Sequence, residues 1–175
     1  IYGRNVSDPE PLGARINSRI DAALVSEREG QRQRDYLGAS RIGEPCARRL
    51  VYEVTHTPSD PGNDLEGRVL RIFAAGHVFE DLAIHWLRQA GFDLRTQTEA
   101  GGQFGFETAG GRIRGHVDGV IVGGPEIGLT WPALWEHKAL KASSWSDTAK
   151  KGVQVSKPVY FGQLQIYMAY MGLGS

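Results

Sequence analysis

The sequence predicts an α/β fold with a mixed, mainly antiparallel central sheet flanked by helices. Three observations predict it. Apolar residues recur at helical spacing in the chain before Gly91. After Gly91 the pattern changes to short runs of strand type separated by glycine-rich turns. Helical spacing then returns between Val159 and Met171.

In chain order, Leu12, Ile16, Ile20, Ala23 and Leu24 mark an outer helix from Leu12 to Val25, and the polar run to Arg34 reads as a loop. The stretch Ala39 to Val54 opens with Ser40 and Gly43 and passes through Pro45, Cys46, Leu50, Val51 and Val54 as a short helix. Pro58 to Asn63 reads as a turn. Asp64 to Gln89 is the strongest helical signal, with Val69, Phe73, Gly76, Ala83 and Leu87 on one stripe and Gly91 as its stop. Four strands follow as a meander: Phe92 to Thr98, Gln103 to Thr108, Gly111 to Val122 and Ala133 to Leu140. The closing helix carries Phe161, Leu164, Tyr167, Met168 and Met171.

The 175 residues suit one domain with one sizeable core. No apolar run approaches the roughly 20 residues of a membrane span, so no membrane role is expected. Ile1 is not a natural initiator and Ser175 follows directly on an apolar stretch, which leaves room for a longer native polypeptide. Cys46 is the single cysteine, which excludes an internal disulfide and fits a reducing cytoplasm. Twenty basic and twenty acidic side chains balance, so any attraction for nucleic acid must be local.

Glu136 and Lys138 lie two apart on an expected strand, so a carboxylate and an ammonium share one face while His137 points to the other. Asp118 sits in Gly115-His116-Val117-Asp118-Gly119 among apolar neighbours, where an unpaired charge is expensive. Glu80 interrupts the apolar stripe of its helix, one turn after Gly76, and poses the same problem. A salt bridge to a nearby Lys or Arg would answer it for Glu80 alone; a shared cation would answer it for all three acids. Hard oxygen donors favour Mg²⁺ or Mn²⁺, and a lysine beside the cation can orient or deprotonate an attacking water.

Asp118 followed by Glu136-His137-Lys138 resembles the paired-strand signature of the PD-(D/E)XK nucleases. Gly76-His77-Val78-Phe79-Glu80 resembles the helical motif that precedes those strands in RecB-type and phage recombination exonucleases, and Gln163-Leu164-Gln165-Ile166-Tyr167 resembles their Q-x-x-x-Y motif. The resemblance covers roughly residues 39 to 171. It implies a restriction-endonuclease-like core over 39–175 with 1–38 as a helical extension, compact as a single domain. It further implies metal-dependent cleavage of DNA, probed first as an exonuclease of phage recombination or DNA repair in a bacterial or phage-infected cell.

In that scheme Glu80, Asp118, Glu136 and the backbone carbonyl of His137 bind metal, Lys138 positions or activates water, and Gln163 and Tyr167 support substrate or lysine. Ser40, Arg48 and Arg49 resemble the segment that contacts phosphate ahead of the metal helix, although an ordinary surface helix explains them equally well. Lys141, Lys150, Lys151 and Lys157, beside Trp145, Tyr160 and Tyr167, supply local positive charge and faces for stacking bases. His77 and His116 are neighbours of the acids, and a competing arrangement places His77, His116 and His137 with Glu80 around zinc or iron. Some relatives hold a cysteine-bound iron-sulfur cluster, which a single cysteine cannot build. The resemblance leaves open a recombination or repair partner protein, an oligomer, a structure-specific or restriction-type endonuclease, and a nuclease-like module that binds DNA or protein without cutting.

Overall fold

The computed structural model describes residues 10–60, 62 and 66–174. The expected turn at Pro58 to Asn63 and the expected helix start at Asp64 lie partly outside them. The helices expected before Gly91 and after Val159 are present. Helix α1 spans Leu12–Glu29, α2 Ala47–Val54, α3 Gly67–Gln89, α4 Ala142–Ser156 and α5 Pro158–Met171. The strands are β1 (Leu37–Gly38), β2 (Leu94–Arg95), β3 (Gly105–Thr108), β4 (Ile113–His116), β5 (Gly119–Ile121) and β6 (Ala133–Trp135). The result is a mixed α/β architecture with two small sheets, mostly antiparallel.

Three expectations change. The single sheet is replaced by two three-stranded sheets, ordered β1-β4-β3 and β2-β5-β6. The reason is that the long strand expected over Gly111 to Val122 breaks at Val117 and Asp118, and its halves pair in different sheets. The last strand stops at Trp135, so Glu136 to Leu140 leave the ladder. The stretch expected as one short helix from Ala39 divides into a 3₁₀ turn at Ala39–Arg41 and α2.

The chain separates into two compact units, the first made by the described residues of Ile1–Gln33 and Ser59–Ala75, the second by Arg34–Pro58 and Gly76–Ser175. In the first unit α1 is joined to the first part of α3 by an ion pair of Asp21 with Arg71 at 2.9 Å, and Arg71 also donates to Asn17 Oδ1 at 3.2 Å. That pairing explains why residues 59–75 group with α1. Leu12, Ile16 and Ile20 remain exposed.

In the second unit, Ala39, Val117, Val120 and Tyr167 form a buried cluster, with Phe104, Phe106, Ile113 and Leu134 packed around it. Tyr167 comes from α5, Val117 from the break between β4 and β5, and Ala39 from the 3₁₀ turn, so the core lies directly behind the strand break. Burial of such side chains is worth about 1.5–3 kcal/mol each. No helix among the described residues is long and apolar enough to cross a membrane.

Candidate active site

At the break, Val117 is fully buried and its N–H donates to Phe104 O at 3.0 Å, while its carbonyl accepts Gln103 Nε2 at 3.2 Å. Both backbone groups are thus satisfied outside a regular ladder, and the strand can turn there without leaving an orphan. The next residue, Asp118, directs Oδ2 to the backbone N–H of His137 at 2.8 Å. That contact follows from register: β5 and β6 run antiparallel with Gly119 opposite Trp135, so the residues just before β5 meet those just after β6.

Glu136 is the centre of the constellation. Its side chain is 5% exposed. Oε1 accepts hydrogen bonds from Lys138 Nζ and, at 2.6 Å, from Gln163 Nε2. Oε2 is buried with no hydrogen-bond partner among the described residues. Burial raises the Glu136 carboxyl above the usual carboxylate range; Lys138 and Gln163 pull it down and Asp118 pushes it further up. Lys138 Nζ also lies 5.6 Å from the centre of the Tyr160 ring.

Gln163 and Tyr167, one turn apart on α5, are both buried. Burial pushes the Tyr167 hydroxyl up to about 12, with Gln163 drawing it down, so it stays protonated at any working pH. The Tyr167 ring meets Phe106 edge-on at 5.9 Å. A chain of contacts therefore runs from the hydrophobic core through Tyr167 and Gln163 to Glu136 and Lys138.

Glu80 stands apart. Among the described residues no three His, Cys, Asp or Glu side chains converge as a metal-binding group. The expected triad of Glu80, Asp118 and Glu136 is therefore not assembled in this side-chain arrangement, and neither is the alternative of His77, His116 and His137 with Glu80. The physical reasons are local. Asp118 is tied to a backbone N–H and Glu136 to two donors, while Glu80 lies 3.7 Å from His77 Nδ1 on a helix whose Val78 and Phe79 are exposed. Glu80 is half-buried on the same face of α3 as Gly76, Ala83 and Leu87, as its stripe suggested, although it is not fully buried. His116 is exposed, and the His137 ring stacks beside Trp135 at 6.0 Å.

The basic residues divide. Arg49 is paired with Glu44 at 3.4 Å and Arg41 with Glu53 at 2.7 Å, so much of this arginine cluster is already neutralised. Arg48 is exposed, and Ser40 lies in the 3₁₀ turn. Lys141 is exposed at the start of α4, Lys151 pairs with Asp147 at 2.7 Å, and Lys157 faces the same cavity as Glu136. Trp145 is exposed on α4, whereas Tyr167 is too buried to stack on a base.

What remains around Glu136 is a pair of hard-oxygen carboxylates, Asp118 and Glu136, close enough that Asp118 pushes the Glu136 carboxyl up. A buried unpaired polar atom costs about 1–3 kcal/mol and a charged one more, and a cation beside Glu136 Oε2 would remove that cost. Mg²⁺ or Mn²⁺ fits this set, because such ions take one or two carboxylates and complete their shell with water and substrate phosphate.

Sequence reading missed α4 and with it Thr148 and Val153, which join Leu140 and Leu164 in walling the cavity beside Glu136. A signal existed in the helical spacing of Ala142, Trp145 and Ala149, but Lys150, Lys151 and Gly152 interrupt it. Set against protein-family models, curated proteins and solved structures, the chain matches none.

Proposed function

We propose that the chain is a metal-dependent DNA nuclease of the PD-(D/E)XK type, with a restriction-endonuclease-like core and Asp118, Glu136 and Lys138 at its centre. The observation that carries this reading is Glu136: a carboxylate almost out of solvent, gripped on one oxygen by Lys138 and Gln163 and left unpartnered on the other, beside Asp118. A salt bridge serving stability alone gains nothing from a buried oxygen that nothing satisfies.

Asp118, Glu136 and the His137 carbonyl would hold Mg²⁺ or Mn²⁺, with Glu80 outside the assembled set. When bound, such an ion supplies charge neutralisation at the phosphoryl oxygens and a more acidic water. Lys138, fixed by Glu136 Oε1, orients the attacking water on the phosphodiester and shields the negative charge that develops there. Gln163 keeps Glu136 Oε1 in place, and Tyr167 keeps Gln163 in place. Water attacks phosphorus and releases one proton to solvent, the bond to the ester oxygen breaks, and the leaving oxygen takes a proton from solvent.

The exonuclease assignment, the setting in phage recombination or repair, the cytoplasmic location and any partner protein or oligomer rest on the motif resemblance. The test uses end-labelled linear DNA and closed circular DNA with Mg²⁺, with EDTA and Lys138→Ala as controls. Wild type should digest the linear DNA and both controls should not; nicking of the circle would mark an endonuclease. Equal digestion by wild type and Lys138→Ala would sink the mechanism, and no digestion of either DNA would favour a binding module.

A further inference from the structure

Beside Glu136 and Lys138 lies a cavity of about 250 Å³. We propose that it is a nucleobase pocket, taking the base of one unstacked nucleotide next to the scissile phosphodiester, so that the substrate is DNA with an unpaired nucleotide at that position. This rests on the nuclease reading and adds to it a substrate class.

Size comes first. A cavity of about 150 Å³ suffices for benzene, and sites for whole drug-sized ligands begin near 300 Å³. The space beside Glu136 accordingly suits one small heterocycle and is too small for a base pair. Its walls join two kinds of chemistry: Leu140, Val153 and Leu164 are apolar and Tyr160 is aromatic, while Glu136, Lys138, Lys157 and Gln163 bring the charged and polar groups of the site to the same cavity. Thr148 Oγ1 donates to Ser144 O at 3.0 Å and lies 3.0 Å from Ser156 Oγ, whose single proton is shared with Gly152 O at 2.7 Å, so Thr148 keeps at least one lone pair for a base N–H. Lys157 Nζ donates to Ser156 O at 3.2 Å and keeps two further N–H groups for a phosphate.

The backbone is shaped for this wall. Gly152 breaks α4 with φ 75° and ψ 162°, a conformation open essentially to glycine alone. The break lets the chain double back so that Ser156 Oγ reaches Gly152 O at 2.7 Å as well as Thr148, and places Val153 and Lys157 on the cavity. Nothing lies within 4 Å of where a Gly152 side chain would begin, so the glycine answers a need of the backbone and not a lack of space.

The test is equilibrium binding, independent of cleavage, read by anisotropy of a labelled single-stranded decathymidylate. A matched series carries one abasic residue at successive positions. Both are measured in EDTA and again in calcium chloride. For wild type, one abasic position should weaken binding by about tenfold, within the range that base stacking supplies, and the others should not. Val153→Trp, which fills the cavity, should bind the intact strand as weakly as wild type binds that abasic one. Leu140→Phe serves as a second filling variant should Val153→Trp fail to fold. If intact and abasic strands bind wild type equally and Lys157→Ala weakens both, the DNA-binding reading survives and the base pocket is wrong. If no strand binds in either buffer, the nuclease reading fails with it.

Discussion

Gln163 donates its side-chain amide to Glu136 Oε1 at 2.6 Å, across 27 residues of sequence and onto the oxygen that Lys138 also holds. The amide is therefore a brace for the charged pair, anchored in turn by Tyr167 at the edge of the hydrophobic core. Hydrogen bonds to charged groups contribute about 1.5–3 kcal/mol. Gln163→Ala should lower kcat by about ten- to a hundredfold with little change in KM. Steady-state kinetics on a labelled strand would check this, and an unchanged kcat would remove Gln163 from the machinery.

Asp118 combines two jobs that one substitution separates. Asn retains an oxygen able to accept the His137 N–H but carries no charge. Asp118→Asn should melt within about 4 °C of wild type, since a change of 1 kcal/mol moves a protein of this size by no more than that. Cleavage should nevertheless fall at least about a hundredfold, and the heat of Mn²⁺ binding in calorimetry should vanish. Retained Mn²⁺ binding would argue against Asp118 as a ligand.

Glu136 makes stability depend on pH in a definite direction. Burial raises its carboxyl in the folded chain above the unfolded value, so the folded state holds the proton more firmly. The stability this contributes is complete below the unfolded carboxylate range and is lost as pH climbs through the raised folded value. Glu136→Gln has no such proton. In metal-free buffer the melting temperature of wild type should fall relative to Glu136→Gln as pH rises from about 4 to about 7. Added Mg²⁺ should restore wild type and not the variant; parallel melting curves would contradict the assignment.

Gly115 allows α5 to approach the sheet. A Cβ there would lie 2.5 Å from Phe106 Cε1 and 3.0 Å from Tyr167 Cε1, both rings of the core. Gly115→Ala should cost about 1–3 kcal/mol by overpacking and reduce activity by displacing Tyr167. Gly123→Ala, with nothing within 4 Å of the added methyl, should leave both unchanged. Thermal melts and kinetics of the two variants side by side decide the point.

Much of the architecture is legible in local pattern. The spacing of Leu12 to Val25 marks α1, the stripe from Val69 to Leu87 marks α3, Gly91 with φ 90° follows the end of α3, and Gln163 and Tyr167 fall one turn apart on α5. Glu136 and Lys138 do meet, although the strand expected to align them ends at Trp135. The misses have a common cause. The strand break at Val117 and the split into two sheets depend on Phe104 and Gln103, more than a dozen residues away, and the kinked α4 on a contact of Ser156 with Thr148 two turns back that no helical period anticipates.

Residue chemistry and periodicity were enough to single out Asp118, Glu136 and Lys138, and the motif resemblance added Gln163 and Tyr167, whose helical spacing lets them share a face. They were not enough to decide which carboxylates meet. Asp118 reaches the residues after β6 through antiparallel register, and Glu136 reaches Gln163 through the packing of α5, whereas Glu80 keeps to His77 on its own helix. Distances between remote segments arise from burial and pairing of the whole chain, and so the orphaned Glu136 oxygen and the cavity beside it exist only in the folded molecule.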